Sequence, residues 1–261
     1  MLSYQHAYHA GNLADVHKHA LLAWMLAYLT RKPKPLSYIE SHAGRALYRL
    51  DAAEATKTGE AAQGIARVAG WFAPDHPYAR VLEATRAEHG SQAYPGSPEI
   101  AAQLLRADDR LHLAELHPQE HAALQTAMAG RAQVHRRDGI EMAVALTPPE
   151  PRRGVLLIDP SWEIKEDYRA IPQAMRRISK KWPVGTLVLW YPLLRDAPHA
   201  PMLRALERDI PDGVRHEVAF PPARAGHGMT GSGLFVVNPP YGFHAQAQWL
   251  SARFATLMPQ R

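Results

Sequence analysis

Asp159-Pro160-Ser161-Trp162 sets a carboxylate, a rigid backbone carbonyl and a large aromatic face directly after the apolar run Gly154-Val155-Leu156-Leu157-Ile158. A carboxylate and a neighbouring carbonyl can accept both N–H protons of an exocyclic amine. Such an amine is a poor nucleophile because its lone pair is delocalised into the ring. Accepting its two protons favours a pyramidal nitrogen with a localised lone pair, after which attack on an electrophile depends mainly on positioning. An aromatic ring beside the carboxylate replaces the stacking that a base loses when it leaves its strand, worth about 1–3 kcal/mol. A second stretch, Asn238-Pro239-Pro240-Tyr241, follows Leu234-Phe235-Val236-Val237 and offers an amide oxygen, a rigid backbone carbonyl and an aromatic ring. The two must be told apart by where the fold puts them.

Polar residues recur at the ends of the predicted strands. Leu36 to Ile39 runs into Glu40-Ser41-His42-Ala43-Gly44, Leu111 to Ala114 ends at Glu115, Ala132 to His135 leads to Asp138-Gly139, and Val155 to Ile158 ends at Asp159. Ligands of open parallel sheets bind beyond the carboxyl ends of the strands, so four such ends in succession predict one shared crevice. Glycine after the first strand admits close backbone approach. The acid after the second suits ribose hydroxyls, and Asp138 suits an adenine amino group. That set fits NAD or S-adenosylmethionine. The loop Gly44-Arg45-Ala46 has no G-x-G-x-x-G, which argues against NAD.

The elements that position these ends alternate. Asn12, with Asp15 three residues on, caps a predicted helix that is apolar on both sides and therefore buried. Further helices are predicted near Gln119 to Ala129, Ile140 to Leu146, Tyr168 to Lys181 and Pro201 to Arg208, and strands over Thr186 to Trp190, His216 to Phe220 and Leu234 to Val237. Gly226 to Gly233 reads as a glycine-rich loop, and Tyr94-Pro95-Gly96-Ser97-Pro98 as a rigid loop before a helix from Glu99 to Arg106. Residues 51–93 are alanine-rich without a strand signal and read as a helical insertion subdomain within a domain formed by 1–50 and 94–261. Strands alternating with helices predict an α/β fold with a mainly parallel sheet covered on both faces.

An apolar strand ending in Asp/Asn/Ser-Pro-Pro-aromatic resembles the catalytic loop of methyltransferases that modify exocyclic amino groups of nucleobases; Asn238 to Tyr241 matches that pattern better than Asp159 to Trp162, where Ser161 replaces the second proline. In that Rossmann-like fold the seventh strand is antiparallel and lies beside the fifth. Here the run at 155–158 is the fourth strand and the run at 234–237 the seventh. Asn238 is then expected on the far edge of the sheet and Asp159 at the crevice.

Composition sets wider limits. With 261 residues, 46% hydrophobic and 21% charged, the chain can bury a large core as one globular domain. It has no cysteine, which excludes disulfides, cysteine–zinc sites and thiol nucleophiles and agrees with a cytoplasmic setting. The N-terminus lacks a secretory pattern, and the longest apolar run, Ala20 to Leu29, is too short to cross a bilayer. A net charge of +5, with clusters at Arg136-Arg137, Arg152-Arg153 and Arg176 to Lys181, permits a polyanionic partner. Each cluster alone reads as a solvated face. His6, His9, His17 and His19 lack the spacing of a metal site, so no metal is expected.

Taken together, Tyr4, His9-Ala10-Gly11-Asn12, Ala14-Asp15-Val16, Lys18-His19, His42-Ala43-Gly44, Thr58-Gly59-Glu60, Gly64-Ile65-Ala66-Arg67, Tyr94 to Pro98, Glu115-Leu116-His117-Pro118, Leu157 to Pro160, Leu189-Trp190-Tyr191-Pro192, Gly228-Met229-Thr230 and Ser232-Gly233 resemble the RlmJ family of bacterial 23S ribosomal RNA adenine-N6 methyltransferases over nearly the whole chain. The resemblance implies a class I (Rossmann-like) S-adenosylmethionine-dependent fold with seven mostly parallel strands and a helical insertion, acting as a monomer on free or partly assembled 23S ribosomal RNA. It implies a cofactor site of His19, His42, Ser97, Glu115, Asp138 and Gly139, a catalytic group of Asp159 with Pro160 and Trp162, and RNA contacts from Tyr4 and Lys18. Ser161 and Trp162 stand where the family usually has Pro-Tyr, and Glu40 and Ala46 where it usually has Asp and Gly. A DNA adenine-N6 methyltransferase and a non-catalytic RNA-binding protein are the competing readings.

Overall fold

The computed structural model describes residues 5–222 and 228–259. Strands β1 (Ser37–Glu40), β2 (Leu47–Arg49), β3 (Ala93–Pro95), β4 (Arg110–Ala114), β5 (Gln133–His135), β6 (Gly154–Ile158), β7 (Thr186–Leu194), β8 (Val214–Ala219) and β9 (Met229–Val237) form two sheets. Seven strands make the main one, in the order β5-β4-β1-β6-β7-β9-β8, and β2 pairs with β3 in a small antiparallel sheet. All neighbours in the main sheet are parallel except β9, which runs antiparallel to both β7 and β8. The strand at 154–158 is thus fourth in chain order within this sheet and β9 is seventh, inserted beside the fifth as expected.

The helices are α1 (Leu13–Leu29), α2 (Ala53–Thr58), α3 (Glu60–Gln63), α4 (Ile65–Val68), α5 (Pro77–His89), α6 (Ser97–Leu104), α7 (Pro118–Ala127), α8 (Gly139–Leu146), α9 (Asp167–Lys181), α10 (His199–Asp209) and α11 (Phe243–Ala255). They cover the sheet on both faces. Because side chains alternate along a strand, each strand feeds two cores. Tyr38, Val155, Leu157, Leu234 and Val236 join the core that holds α1, α5, α6 and α11. Ile39, Leu156, Ile158, Phe235 and Val237 join the core under α8, α9 and α10. Burial on both faces is why these strands read as unbroken apolar runs.

Helix α1 is buried along most of its length, as its two apolar sides require. Its cap is reciprocal: Asn12 Oδ1 accepts from the Asp15 N–H at 2.9 Å, and Asp15 Oδ2 accepts from the Gly11 N–H at 2.9 Å. Residues 51–93 contain α2 to α5 and contribute Ile65, Val68, Phe72, Tyr78, Val81 and Leu82 to the same core as α1.

Three local readings change. The predicted rigid loop at 94–98 is instead β3 followed by the first turn of α6, because Tyr94 pairs with Tyr48 across β2. Strand β7 runs on to Leu194, held by β9 as far as Met229. Of the predicted glycine-rich loop, 229–233 is strand; Gly226 and His227 lie outside the described residues. Those glycines serve close packing rather than a turn: a Cβ on Gly233 would lie 2.2 Å from the Tyr191 ring, and one on Gly231 2.4 Å from the Val218 carbonyl.

Candidate functional site

A cavity of about 370 Å³ opens at the carboxyl ends of β1, β4, β5 and β6. It is lined by every described residue of the predicted site: Lys18, His19, His42, Ser97, Glu115, Asp138, Gly139, Asp159, Pro160 and Trp162. Tyr4 lies outside the described residues.

The loop after β1 is drawn close to its neighbours. Gly44 has φ +62, a conformation that favours glycine, and a Cβ there would sit 2.4 Å from the Tyr48 hydroxyl. Its N–H donates to Glu115 Oε2 at 2.9 Å, while Oε1 accepts from the His117 N–H at 2.8 Å. Burial pushes the Glu115 carboxyl above the ordinary range, and these two N–H groups oppose that rise. Asp138 caps α8, accepting from the Glu141 N–H at 2.8 Å through Oδ1. Gly139 is required by contact: a Cβ would lie 1.7 Å from the Ser41 carbonyl.

Glu40, grouped with the crevice by its strand-end position, sits behind the cavity wall. It is fully buried and accepts from Tyr38 Oη at 2.8 Å and Ser97 Oγ at 2.5 Å. Burial pushes its carboxyl up to about 8 against the pull of those two donors. Its role is to hold Ser97, which does line the cavity.

Helix α1 brings charge to the other wall. Lys18 Nζ lies 2.5 Å from Asp159 Oδ2 and 3.1 Å from Asp15 Oδ1. Burial alone would lower this ammonium, but the two carboxylates outweigh it and hold the pKa above the usual lysine value. Burial likewise works against the Asp15 charge; His6, at 2.9 Å from Oδ2, together with Lys18 and His19, reverses this and leaves the carboxyl well below its ordinary range. His19 is lowered by burial to about 3 and bonds Tyr94 Oη through Nδ1 at 2.9 Å. Burial also lowers His42, whose Nδ1 lies 2.7 Å from Ser41 Oγ. Both imidazoles are therefore neutral near pH 7. Among the described residues no group of three His, Asp or Glu side chains has metal-holding geometry. Instead His9 bonds Glu60, and His17 bonds Ser232 and His216.

Asp159 leaves β6 into the cavity, followed by buried Pro160. Trp162 adopts φ 59 and is only 8% exposed, with the Tyr168 ring 4.5 Å away. Its Nε1 meets no hydrogen-bond partner among the described residues. The Asn238 stretch is elsewhere. Because Val237 pairs with Leu187 near the start of β7, Asn238 emerges on the opposite edge. There Nδ2 donates to the Pro183 and Gly185 carbonyls, both at 2.9 Å, and Tyr241 is 87% exposed.

Sequence reasoning named Asp15 only as a cap and did not single out Trp190 for the site. Trp190 lines the cavity from β7. The signal was available, since Leu189-Trp190-Tyr191-Pro192 stands at the end of a predicted strand. The basic clusters are partly structural: Arg153 donates to the Leu29 and Lys34 carbonyls, and Lys181 to that of Val144.

A parallel sheet with an antiparallel strand between its fifth and sixth members, and acids of successive strand ends around one cavity, defines the class I methyltransferase fold. A methyltransferase of Agrobacterium tumefaciens described as SAM dependent shares that fold at 11% identity and a TM-score of 0.50, over 86% of this chain and 62% of that one. The chain belongs to the family described as "Ribosomal RNA large subunit methyltransferase D, RlmJ", whose model matches residues 33–260. It is 38% identical to the ribosomal RNA large subunit methyltransferase J of Escherichia coli, over 97% of this chain and 94% of that one. The protein of the same name from Haemophilus influenzae is 36% identical over 100% and 95%. A crystal structure of a Legionella pneumophila protein, 37% identical, superposes with a TM-score of 0.85 over 95% of this chain and 94% of that one.

Proposed function

We propose that this chain transfers a methyl group from S-adenosylmethionine to the exocyclic N6 of an adenine in 23S ribosomal RNA. The observation that carries this reading is Asp159: a strand-end carboxylate followed by the Pro160 carbonyl, opening into the cavity shared by Glu115, Asp138 and Gly139. Bound cofactor supplies an electrophilic methyl on its sulfonium. The donor set suits it. Glu115 takes the ribose hydroxyls, Asp138 the adenine amino group, and the loop at Gly44 and Gly139 allows backbone approach. His19, His42 and Ser97 complete that side of the cavity.

Asp159 and the Pro160 carbonyl accept the two N–H protons of the target amine and hold its lone pair toward the methyl. After transfer the nitrogen loses one proton to Asp159. Lys18, bound to the same carboxylate at 2.5 Å, holds it in position, and Lys18 and Tyr4 contact the RNA. Trp162 forms the loop wall of the base pocket. Residues 51–93 act as a helical insertion on a methyltransferase domain of 1–50 and 94–261. The protein works in the cytoplasm as a monomer; no helix of the described residues is long and apolar enough to cross a membrane.

Incubation with labelled S-adenosylmethionine and protein-free 23S ribosomal RNA, followed by mapping, tests the reading. N6-methyladenine at a single position is expected. Transfer to duplex DNA but not RNA would replace the substrate, and cofactor binding without transfer to either would refute catalysis.

A further inference from the structure

We propose that Trp190 supplies the face on which the target base stacks, and that a buried chain through Ser232, His17 and His216 holds that face in place. The inference rests on the adenine reading above. Two tryptophans border the cavity. Trp162 is packed into the core under α9, with Tyr168 against its ring. Trp190 is only half-buried, and its ring centroid lies 5.5 Å from Lys18 Nζ, which is itself 2.5 Å from Asp159. The Trp190 ring and the Asp159 carboxylate therefore border one space. A planar base whose amino group reaches Asp159 lies against Trp190.

The ring is anchored at its far side. An indole N–H can only donate, so Trp190 Nε1 gives its proton to Ser232 Oγ at 2.9 Å. The fully buried Ser232 then needs an acceptor for its own hydroxyl proton, and His17 Nδ1 lies 2.8 Å away. That makes His17 Nε2 the protonated nitrogen, donating to His216 Nδ1 at 2.9 Å. His216 Nε2 in turn donates to Ser251 Oγ at 2.7 Å. In this arrangement every proton from indole to Ser251 has one acceptor. Burial, with His216 adjacent, holds His17 well below its ordinary pKa, so the neutral tautomer persists. His17 follows one residue before Lys18 on α1, so one helix fixes both the stacking face and the ion pair at Asp159.

Kinetics on protein-free 23S ribosomal RNA, with S-adenosylhomocysteine affinity as the control for folding, test this. Trp190→Leu should lower kcat/KM roughly 5- to 150-fold, the span of one base–aromatic stack, mainly through KM for RNA. Trp190→Phe should recover most of it, Ser232→Ala should fall between, and Trp162→Leu should lose less than Trp190→Leu. Cofactor-product affinity should stay within about twofold in each, since the stack touches the base alone. A Trp190→Leu enzyme with normal kcat/KM, or a larger loss in Trp162→Leu, overturns the proposal. If Trp190→Leu does not bind S-adenosylhomocysteine, the indole N–H resonance missing from Trp190→Phe decides. It should shift when adenosine is added to the wild-type protein saturated with S-adenosylhomocysteine, and its failure to move is equally fatal. Wild-type methylation of a base other than adenine would sink the adenine reading separately, while the Trp190 ranking would still be read on that base.

Discussion

The loops at Asp159 and Asn238 carry nearly the same four residue types and lie on opposite edges of one sheet. Asp159 ends a parallel strand, so it opens into the cavity with Lys18 at 2.5 Å. Asn238 ends the antiparallel β9, so its amide is spent on the carbonyls of Pro183 and Gly185, where it pins the turn into β7. Asn238-Pro239-Pro240-Tyr241 is the better match to a reactive-loop pattern, yet none of its residues lines the cavity at Asp159. Strand direction, not local sequence, decides which loop can meet a ligand.

The largest test of that contrast is catalytic. Asp159→Ala should lower kcat by about 10²–10³-fold, the usual cost of removing one positioned electrostatic partner. Asn238→Ala should leave kcat near wild type and cost roughly 1–2 kcal/mol of stability from two unmade hydrogen bonds. Single-turnover rates and thermal unfolding on both variants give the ranking, and the reverse order would break the argument from strand direction.

Charge is the second difference. The site edge buries Lys18 between two carboxylates, whereas Asn238 holds the far edge with neutral hydrogen bonds. Asp15→Asn should cost about 2–4 kcal/mol at pH 7, because it removes one partner of a buried pair. Since the folded Asp15 carboxyl is depressed, its stabilisation is present above the ordinary value of 3.8 and lost as pH falls below it. The variant should therefore show a flatter acid limb in urea unfolding between about pH 5 and 2; an unchanged limb would place the acid sensitivity elsewhere. Glu40 has the opposite sign. Its folded value, pushed from 4.5 to about 8, makes the buried acid increasingly costly as pH rises through that window. Glu40→Gln should be near neutral at pH 5 and should gain stability toward pH 8, by up to about 2–4 kcal/mol. A gain that does not grow with pH would mean that Tyr38 and Ser97 fully compensate the charge.

Much of this was legible in the chain because it is local. Val155 to Ile158 and Leu234 to Val237 are buried on both faces, so they announce themselves as apolar runs, and counting them placed β9 and thereby Asp159 and Asn238. Polar residues at strand ends marked the crevice for the same reason. What escaped depends on distant partners. Nothing near Lys18 says that its ammonium meets a residue 141 positions away. Gly231 and Gly233 look like loop residues, and only the Val218 carbonyl and the Tyr191 ring explain them as strand. Trp162 reads as an open aromatic face until Tyr168, six residues on, turns out to cover it.

The smallest effect compares backbone strain on the two edges. Ala46, at φ 67 in the loop after β1, and Asn238, at φ 50 after β9, both adopt the left-handed conformation. For alanine that conformation costs roughly 1–2 kcal/mol, while asparagine visits it with less penalty. Ala46 accepts from the Gly96 N–H at 2.7 Å through its carbonyl, a bond that glycine keeps, and buries its methyl group in the core. Ala46→Gly should therefore stabilise the protein by about 0.5–1 kcal/mol, the strain relief being partly offset by the added freedom of the unfolded chain. Asn238→Gly relieves little strain and deletes two hydrogen bonds, so it should destabilise by about 1 kcal/mol or more. Opposite signs for one substitution type, read by thermal unfolding of both variants, would show that the site edge carries its strain for the loop's shape. Equal signs would mean that Ala46 is held by packing around its buried methyl group.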